Sequence, residues 1–388
     1  MNLPTIHPFP ARMAPDIALN ALRSIKRGSI VLDPMSGSGT TLRMASENGL
    51  TSKGFDLDPL AILIAQVWNT PISSTTVEQL GRQLLETAQS NTTTTLPWVD
   101  DETDGFQRFW FAEPQRNALN KIASVLQTWN EPEADVLRVA LSRLIITKKR
   151  GASLGWDVSH GKPHKVRTEN DFDIWVEFPN SVRAVCRNLP GTTDFEKVTV
   201  APGDARELSD VEADSIDFIL TSPPYLHAVD YMRGHRLSLV WLGWSLKALR
   251  HIRSKTIGVE IQNKSENEAV LLDLLHNVVT LESLMPRHQK TLEHYGLDLC
   301  AVCKEMHRTL RPKGEAMIVI ADSYVRGNLV RNTQLFKNAA RIAGLKLISE
   351  YERQILASRR YLPPPSLANG NDLSKRMKTE AIIRFRKP

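Results

Sequence analysis

The sequence has little cysteine and no long apolar segment. Its three cysteines are too few for a disulfide framework, which favours a reducing, cytoplasmic compartment. No apolar run approaches the roughly 18 residues that a membrane-spanning helix requires. The first residues also lack the basic start and apolar stretch of a secretory signal. We therefore expect a cytoplasmic protein that makes no membrane contact.

Several patterns of metal and catalytic sites are missing as well. The ten histidines include no His-Glu-x-x-His sequence, and we expect no catalytic metal. Cys300-x-x-Cys303 is a single pair, whereas a structural zinc site needs four ligands, so a buried apolar role is expected for it. No Pro-Cys pair is present, which excludes the nucleophile expected of a cytosine-C5 methylating enzyme.

The composition that remains is that of a globular protein. Of 388 residues, 41% are hydrophobic and 24% are charged, which suits one large domain with insertions, or two domains. The net charge of +6 permits a nucleic-acid partner without requiring one.

Strand and helix patterns alternate at the start of the chain. Residues 29–34 and 52–59 are short apolar segments that end in acids, and helical patterns follow each of them. This alternation predicts a βαβ unit and a parallel sheet, hence an α/β fold. It stops over 70–194, and 246–296 is charged and helical in pattern, so we expect two insertions. Strand signals return in between and afterwards, at 197–204, 215–220, 316–321, 345–352 and 380–386.

A glycine-containing loop, Asp33-Pro34-Met35-Ser36-Gly37-Ser38-Gly39-Thr40, follows the first strand. Asp56 ends the next strand, 23 positions after Asp33, a spacing at which an acid reaches a ribose hydroxyl. The loop lacks the Gly-Lys-Ser/Thr end of a phosphate-binding loop, the Gly-x-Ser-x-Gly of a hydrolase and the third glycine of a dinucleotide site. A nucleoside cofactor without a pyrophosphate and a purely structural turn both remain open.

A second motif, Thr221-Ser222-Pro223-Pro224-Tyr225, follows a later strand. Its prolines fix the shape of the turn and remove two N–H donors, so the Ser222 hydroxyl and the Pro223 carbonyl can accept hydrogen bonds from an amino group. Tyr225 offers a flat face for a base. A proline-rich loop that merely closes the strand is the alternative. Both motifs lie at carboxyl ends of strands, where open α/β sheets bind ligands.

Together these motifs resemble those of S-adenosylmethionine-dependent DNA methyltransferases that act on exocyclic amino groups. The resemblance covers the chain outside the two insertions, and it implies a Rossmann-like class I methyltransferase sheet with helices on both faces and an inserted, mainly helical second domain. It implies a catalytic set of Ser222, Pro223, Pro224 and Tyr225. The cofactor-binding set that it implies is Phe9, Pro10, Asp33, Pro34, Ser36, Gly37, Ser38, Gly39, Thr40, Asp56, Leu57, Asp204 and Ala205.

The resemblance also divides the chain by role. The core comprises 1–69 with the cofactor loop, 195–245 with the catalytic motif and 297–388 at the C-terminus. Residues 70–194 are expected to recognise the target, and 246–296 to form a second helical insertion. A serine before Pro-Pro-Tyr is typical of cytosine-N4 enzymes, although the motif order here, cofactor loop first, differs from many of them.

The expected substrate is therefore a cytosine flipped out of duplex DNA, since a stacked base cannot present its amino group. A cognate restriction endonuclease is a possible partner of such an enzyme. Adenine-N6 methylation, an RNA target, and an idle fold that binds DNA as a regulator are the alternatives. The recognition sequence and the oligomeric state do not follow from the sequence.

Basic residues suggest where the phosphates would bind. The favoured cluster lies within 148–167, and two side chains follow the catalytic motif; the stretches 247–264 and 353–387 are other basic candidates. Any of these could instead be an ordinary solvated face. The residues that we assign to nucleic-acid binding are Lys148, Lys149, Arg150, Lys162, Lys165, Arg167, Arg233 and Arg236.

Overall fold

The fold is known from a computed structural model. It describes residues 4–9, 12–92, 95–148, 150–156, 158, 163–190, 197–226, 231–258, 268–279, 284–325, 328–355 and 379–388. The strands in these ranges are β1 (Ile30–Asp33), β2 (Thr51–Asp56), β3 (Gly155–Trp156), β4 (His164–Lys165), β5 (Val198–Pro202), β6 (Ile216–Thr221), β7 (Leu310–Ile320), β8 (Ser323–Val325), β9 (Asn328–Val330), β10 (Lys346–Gln354) and β11 (Thr379–Arg386).

Seven of these strands form the central sheet, in the order β10-β11-β7-β6-β1-β2-β5. The pairs from β7 to β5 are parallel, and β11 is antiparallel to both of its neighbours. The chain builds outward from β1 in both directions, so the strand order reverses between β1 and β6. This sheet confirms the expected Rossmann-like α/β fold and sets the point where such sheets bind ligands.

The helices in the described ranges are α1 (Pro15–Leu22), α2 (Thr40–Glu47), α3 (Pro59–Trp68), α4 (Ser74–Ser90), α5 (Asp101–Trp110), α6 (Glu113–Leu126), α7 (Pro132–Ile145), α8 (Ile174–Cys186), α9 (Tyr231–Leu239), α10 (Leu246–Ser254), α11 (Glu268–Leu275), α12 (Pro286–Thr309) and α13 (Asn332–Ile342). Among them, no helix is both long and apolar enough to cross a membrane.

The sheet lies between two hydrophobic clusters because successive strand residues point to opposite faces. Val31 and Phe218 pack in one cluster, while Leu32 and Ile219 pack in the other. The first cluster continues without interruption into the apolar residues of α4, α6, α7 and α8. The inserted helices are therefore packed on one face of the core sheet. The second cluster is covered by α11, α12 and α13.

Some local features differ from the sequence expectations. The strand expected at 316–321 already begins at Leu310, and it contains an irregularity where Lys313 has a φ of 66° and the pairing register with β6 shifts. The boundary expected at 296/297 falls within α12, a 24-residue helix that carries the second insertion directly into the core. The hairpins β3–β4 and β8–β9 were not expected, because two- and three-residue strands leave no periodic signal.

Candidate active site

The candidate site lies across the carboxyl ends of four neighbouring parallel strands, β5, β2, β1 and β6. The backbone N–H of Gly203 donates to the Asp56 carbonyl at 3.0 Å, which joins the ends of β5 and β2. The Thr41 hydroxyl donates to the Leu220 carbonyl at 3.3 Å, which joins the start of α2 to β6. The structure thus brings the expected cofactor loop and catalytic motif to adjacent strand ends.

The cofactor loop is shaped by its own backbone. The Ser36 N–H continues the pairing with β2 by donating to the Phe55 carbonyl at 2.8 Å, and the Gly39 N–H donates back to Ser36 at 2.8 Å. Gly37 and Gly39 have φ values of 49° and 84°, a left-handed conformation that glycine adopts without strain. Pro34 is buried beneath the turn. This turn begins α2 directly after β1.

Three hydroxyl groups of this loop form no hydrogen bond within the described residues. The side-chain oxygens of Ser36, Ser38 and Thr40 are buried and have no hydrogen-bond partner within the described residues. A buried hydroxyl without a partner costs about 1–3 kcal/mol. The loop therefore fits a ligand with polar groups, such as the ribose and amino-acid parts of S-adenosylmethionine, better than it fits a purely structural turn.

Two carboxyl groups flank the loop. Asp56 accepts hydrogen bonds from the backbone N–H groups of Gly37, at 2.8 Å, and Asp58, at 2.9 Å. Burial, with the nearby carboxylate of Asp58, raises the pKa of Asp56 to about 6. Burial likewise raises the pKa of Asp33 to about 6, although the hydroxyls of Thr41 and Thr221 act in the opposite direction. Asp56 is placed to accept hydrogen bonds from a ribose above Gly37.

A cavity of about 520 Å³ begins beside Leu57, directly after Asp56. Its lining is largely apolar and comes from α3, the end of β5 and residues 239–255. Ile62, Pro202 and Trp244 contribute to this lining. A nucleoside whose ribose binds at Asp56 would find an apolar surface for its base on the Leu57 side.

Asp204 and Ala205 follow β5. Ala205 is buried, whereas Asp204 is half-buried and forms a two-pronged ion pair with Arg206, whose Nη2 and Nε lie 2.7 Å and 2.9 Å from its oxygens. Arg206 also donates to Asp298 of α12 at 2.7 Å, and these carboxylates raise its pKa. The sequence did not predict this pairing. Asp204 is thereby connected through Arg206 to α12.

The N-terminal element lies over the cofactor loop. The Phe9 ring would be 3.3 Å from a Cβ at Gly37, so the ring lies directly on that glycine; Pro10 lies outside the described residues. The element is anchored on the inserted helix α7, because Arg143 donates to the Ile6 carbonyl at 2.7 Å and His7 Nε2 lies 2.9 Å from the Ser142 hydroxyl. Burial, with Arg143 and His235 nearby, lowers the pKa of His7 to about 3.

The catalytic motif is held by a side chain from another helix. Ser222, Pro224 and Tyr225 are half-buried and Pro223 is buried. The hydroxyl of Tyr295, on α12, donates to the Pro224 carbonyl at 2.9 Å. Tyr295 is only 1% exposed, and burial raises its pKa well above the ordinary value. No local sequence pattern predicts this contact, because Tyr295 lies 71 positions after Pro224 in the chain.

A second unpredicted contact joins the two halves of the site. His235, on α9 after the catalytic motif, contacts the Asp58 carboxylate through Nδ1. Asp58 also begins α3, because its other oxygen accepts from the Leu60 N–H at 2.9 Å. The buried His235 ring lies 5.2 Å from the Phe9 ring, between centroids.

The expected nucleic-acid residues have different surroundings. Lys148 is exposed, and Arg150 is ion-paired with Asp171. The Arg167 guanidinium donates to the carbonyls of Ser153 and Gly155, so it supports the loop. Lys149 and Lys162 lie outside the described residues.

The remaining basic residues contact aromatic rings or solvent. Lys165 is exposed, with its ammonium 4.7 Å from the centroid of the Phe109 ring. Arg233 is exposed, and the Arg236 guanidinium lies over the Phe106 ring at 5.1 Å.

The cysteine pair agrees with a core role. Cys300 and Cys303 are buried on α12, and burial raises the pKa of Cys303 well above the ordinary value. In the ranges that the structure describes, no group of three or more His, Cys, Asp or Glu side chains is arranged to hold a metal ion.

Comparison with known proteins identifies relatives of this chain. The type II methyltransferase M.BsoBI of Geobacillus stearothermophilus is 23% identical over 291 residues, which cover 66% of this chain and 55% of that protein. M.MvaI of Kocuria varians is 24% identical over 360 residues, 82% of this chain and 77% of that protein. M.MjaII of Methanocaldococcus jannaschii is 41% identical over a 63-residue segment, 16% of this chain and 12% of that protein. No family model matches the chain.

Solved structures superpose loosely. A TehB-like S-adenosylmethionine-dependent methyltransferase of Corynebacterium glutamicum matches with 11% identity and a TM-score of 0.31, over 96% of this chain and 87% of that one. A Thermus thermophilus protein described as a DNA modification methylase and solved with S-adenosylmethionine matches with 19% identity and a TM-score of 0.25, over 48% and 51%. The fold assignment rests on the strand order itself. The sequence relatives confirm the resemblance to S-adenosylmethionine-dependent DNA methyltransferases.

Proposed function

We propose, from its relationship to type II DNA methyltransferases, that this chain uses S-adenosylmethionine to methylate an exocyclic amino group of a base in duplex DNA. One observation carries the proposal above the others. The loop with three unpartnered hydroxyls and the Ser222–Tyr225 motif follow neighbouring parallel strands, and Thr41 links them through the Leu220 carbonyl. A cofactor and an amine would therefore meet between the two loops.

The cofactor side is supplied by the ends of β1, β2 and β5. Asp56 accepts the ribose hydroxyls, while Ser36, Ser38 and Thr40 satisfy polar groups above the turn. Further residues complete the side: Asp33, Pro34, Gly37 and Gly39 shape the turn, Leu57, Asp204 and Ala205 border the base, and Phe9 covers the methionine end. When bound, S-adenosylmethionine supplies an electrophilic methyl group and a neutral thioether leaving group.

The catalytic side orients the amine. The Ser222 hydroxyl and the Pro223 carbonyl accept hydrogen bonds from its two N–H groups, which would direct the nitrogen lone pair toward the methyl group of the bound cofactor. The methylated amine would then lose its extra proton to water, since the Ser222 hydroxyl is a poor base. Alignment of this kind lowers the activation free energy by several kcal/mol. Pro224 and Tyr295 hold the loop, and Tyr225 stacks on the flipped base.

The preferred base in this proposal is cytosine, methylated at N4. The serine before Pro-Pro-Tyr supports this choice, since it is typical of cytosine-N4 enzymes in the family that the motifs resemble. The names of the relatives do not specify a base. Protection of host DNA from a cognate restriction endonuclease is the role that fits a type II relationship.

The proposed DNA surface runs along α5. Phe106 underlies Arg236 and Phe109 underlies Lys165, and these rings are three positions apart, about 4.5 Å along the helix axis. The surface therefore joins α9, which follows the catalytic motif, to the hairpin β3–β4. Trp156 on this hairpin is 52% exposed. The Phe109 ring is exposed and the Phe106 ring is half-buried, and cations beside such rings suit phosphates and base edges.

Expression in a host that lacks DNA methylation tests the function. Mass spectrometry of nucleosides from the host DNA should reveal N4-methylcytosine, and Ser222→Ala should abolish it while S-adenosylhomocysteine still binds. Ser90→Ala, an exposed serine on α4, is the matched control and should leave methylation intact. N6-methyladenine would overturn the choice of base. Methylated RNA, or tight DNA binding without methylation, would overturn the proposed reaction.

Salt-dependent DNA binding tests the surface. Lys165→Ala should weaken binding to duplex DNA and lower the slope of log affinity against log salt by about 1, as expected for one lost phosphate contact. Lys346→Ala, on the edge strand β10 at the other end of the sheet, is the control. Equal effects of the two variants would argue against a DNA surface along α5.

A further inference from the structure

His235 is a buried polar residue that the proposed reaction leaves without a role. Its side chain is 1% exposed, and its Nδ1 contacts the carboxylate of Asp58. A carboxylate only accepts hydrogen bonds, so Nδ1 must carry the proton that this contact requires. In the neutral imidazole, Nε2 is then a hydrogen-bond acceptor of fixed orientation.

That acceptor is unsatisfied. Nε2 of His235 is buried and has no hydrogen-bond partner among the residues that the structure describes. Leaving such an atom unpaired costs about 1–3 kcal/mol. The neighbouring His7 does not have this problem, because its two ring nitrogens lie 2.7 Å from the Pro8 carbonyl and 2.9 Å from the Ser142 hydroxyl. None of the described residues supplies a donor to Nε2 of His235.

The surroundings of His235 point to the cofactor. Its ring lies 5.2 Å from the Phe9 ring, which itself lies on Gly37 of the cofactor loop. Its partner Asp58 is two positions after Asp56, which receives the Gly37 N–H. His235 therefore borders the cofactor loop on the side that Phe9 covers.

We propose that Nε2 of His235 accepts a hydrogen bond from the α-ammonium group of the cofactor's methionine part, with Asp58 as the positioning residue that sets the imidazole tautomer. This inference rests on the proposed function. An ammonium group carries only donors, which matches an acceptor nitrogen, whereas a carboxylate does not. The contact would also join α9, after the catalytic motif, to the bound cofactor.

Calorimetric binding of three ligands tests this contact without any turnover. S-adenosylhomocysteine carries the amino acid, its decarboxylated analogue keeps the amine alone, and 5′-methylthioadenosine lacks both. His235→Gln should weaken the first two ligands by about tenfold or more and leave the third unchanged. His276→Gln, an exposed histidine directly after α11, should change none of them.

Other outcomes would overturn the inference. Equal losses for all three ligands would mean that His235 acts through the fold, and a loss confined to S-adenosylhomocysteine would identify the carboxylate as the partner. No loss at all would exclude a contact. If the wild-type chain binds none of the three ligands, the proposed function fails instead.

A second variant keeps the test valid if His235→Gln does not fold. Asp58→Asn retains a side chain that begins helices well, so α3 is expected to persist. It should weaken the two amine-containing ligands and spare 5′-methylthioadenosine. Combined with His235→Gln it should add little, because both changes remove the same contact. Additive losses would contradict a shared role.

Discussion

The loop after β1 and the loop after β6 end neighbouring strands, yet they are held in shape by different means. The first depends on its own residues: two left-handed glycines and hydrogen bonds to the adjacent strand end. The second depends on prolines and on a tyrosine from α12. The first loop is accordingly sensitive to local changes, and the second to changes elsewhere in the chain.

Under the proposed function the loop after β1 binds the cofactor and the loop after β6 orients the amine, so the two loops serve different steps. The proposed cofactor loop must hold its shape in every cycle, and a turn encoded locally does so without help. In the proposed reaction the loop after β6 receives a flipped base, and the hydrogen bond from Tyr295 connects this loop to α12. Substitutions at each anchor should therefore separate cofactor binding from turnover.

A substitution that distorts the loop after β1 should have the largest effect, on both stability and cofactor affinity. Gly39→Ala places a Cβ 2.9 Å from Asn69 Nδ2 and 3.0 Å from the Ala65 Cβ, at a φ of 84°. Backbone strain and overpacking together should lower the free energy of unfolding by about 2–4 kcal/mol. S-adenosylhomocysteine should bind more than about tenfold more weakly. Thermal unfolding and calorimetry measure both effects.

Gly28→Ala is the matched control for this variant. Gly28 has a φ of 80°, but a Cβ there would meet nothing within 4 Å. Its cost should be that of the left-handed backbone alone, about 1–2 kcal/mol, with cofactor affinity unchanged. Equal unfolding energies for the two variants would show that the crowding at Gly39 does not matter.

A substitution at the distant anchor of the loop after β6 should have a smaller effect, which should fall on turnover and not on cofactor binding. Tyr295→Phe removes the hydroxyl that donates to the Pro224 carbonyl and leaves the buried ring in place. We expect kcat to fall by about tenfold because the loop loses its alignment, while the Kd for S-adenosylhomocysteine stays unchanged.

Tyr324→Phe, a 41% exposed tyrosine on β8, should change neither kcat nor this Kd. If Tyr295→Phe weakens cofactor binding as much as it lowers kcat, the two loops are not held independently.

The sequence predicted one loop more completely than the other for a physical reason. Local hydrogen bonds and glycine conformations act between residues that are close in sequence. The segment from Asp33 to Thr40 therefore predicted a turn, and the spacing to Asp56 predicted an acid beside it. The anchors Tyr295 and His235 act across the fold. Nothing in a local pattern indicates which distant side chain will reach a given carbonyl or carboxylate.

The same limit applies to charge. A basic stretch is visible in the sequence, but the role of each cation depends on what it meets in the fold. Arg167 lies within the expected cluster, yet it donates to two backbone carbonyls, whereas Lys165, two positions earlier, is exposed over an aromatic ring. The parallel sheet, by contrast, was predictable because hydrophobic periodicity reports directly on strands and helices.

The smallest expected effect on cofactor binding concerns the acid beside the first loop. Burial raises the pKa of Asp56 to about 6, above the ordinary value of 3.8. An unfolded chain would lose this proton near pH 4, so Asp56 should lower the free energy of unfolding as the pH rises from about 4 to about 6, by up to about 3 kcal/mol. Asp56→Asn should remove that contribution in pH-dependent unfolding experiments.

Cofactor affinity should follow the opposite trend with pH. Ribose hydroxyls donate to the ionised carboxylate, which is about one-quarter populated at about pH 5.5 and nearly complete at about pH 7.5 for a pKa of about 6. S-adenosylhomocysteine should therefore bind about fourfold more tightly at the higher pH. Asp56→Asn should bind more weakly and lose this dependence, whereas Ser222→Ala, which changes only the other loop, should retain it. A Ser222→Ala profile as flat as that of Asp56→Asn would mean that the titrating group belongs to both loops together, and that the two strand ends work as one unit.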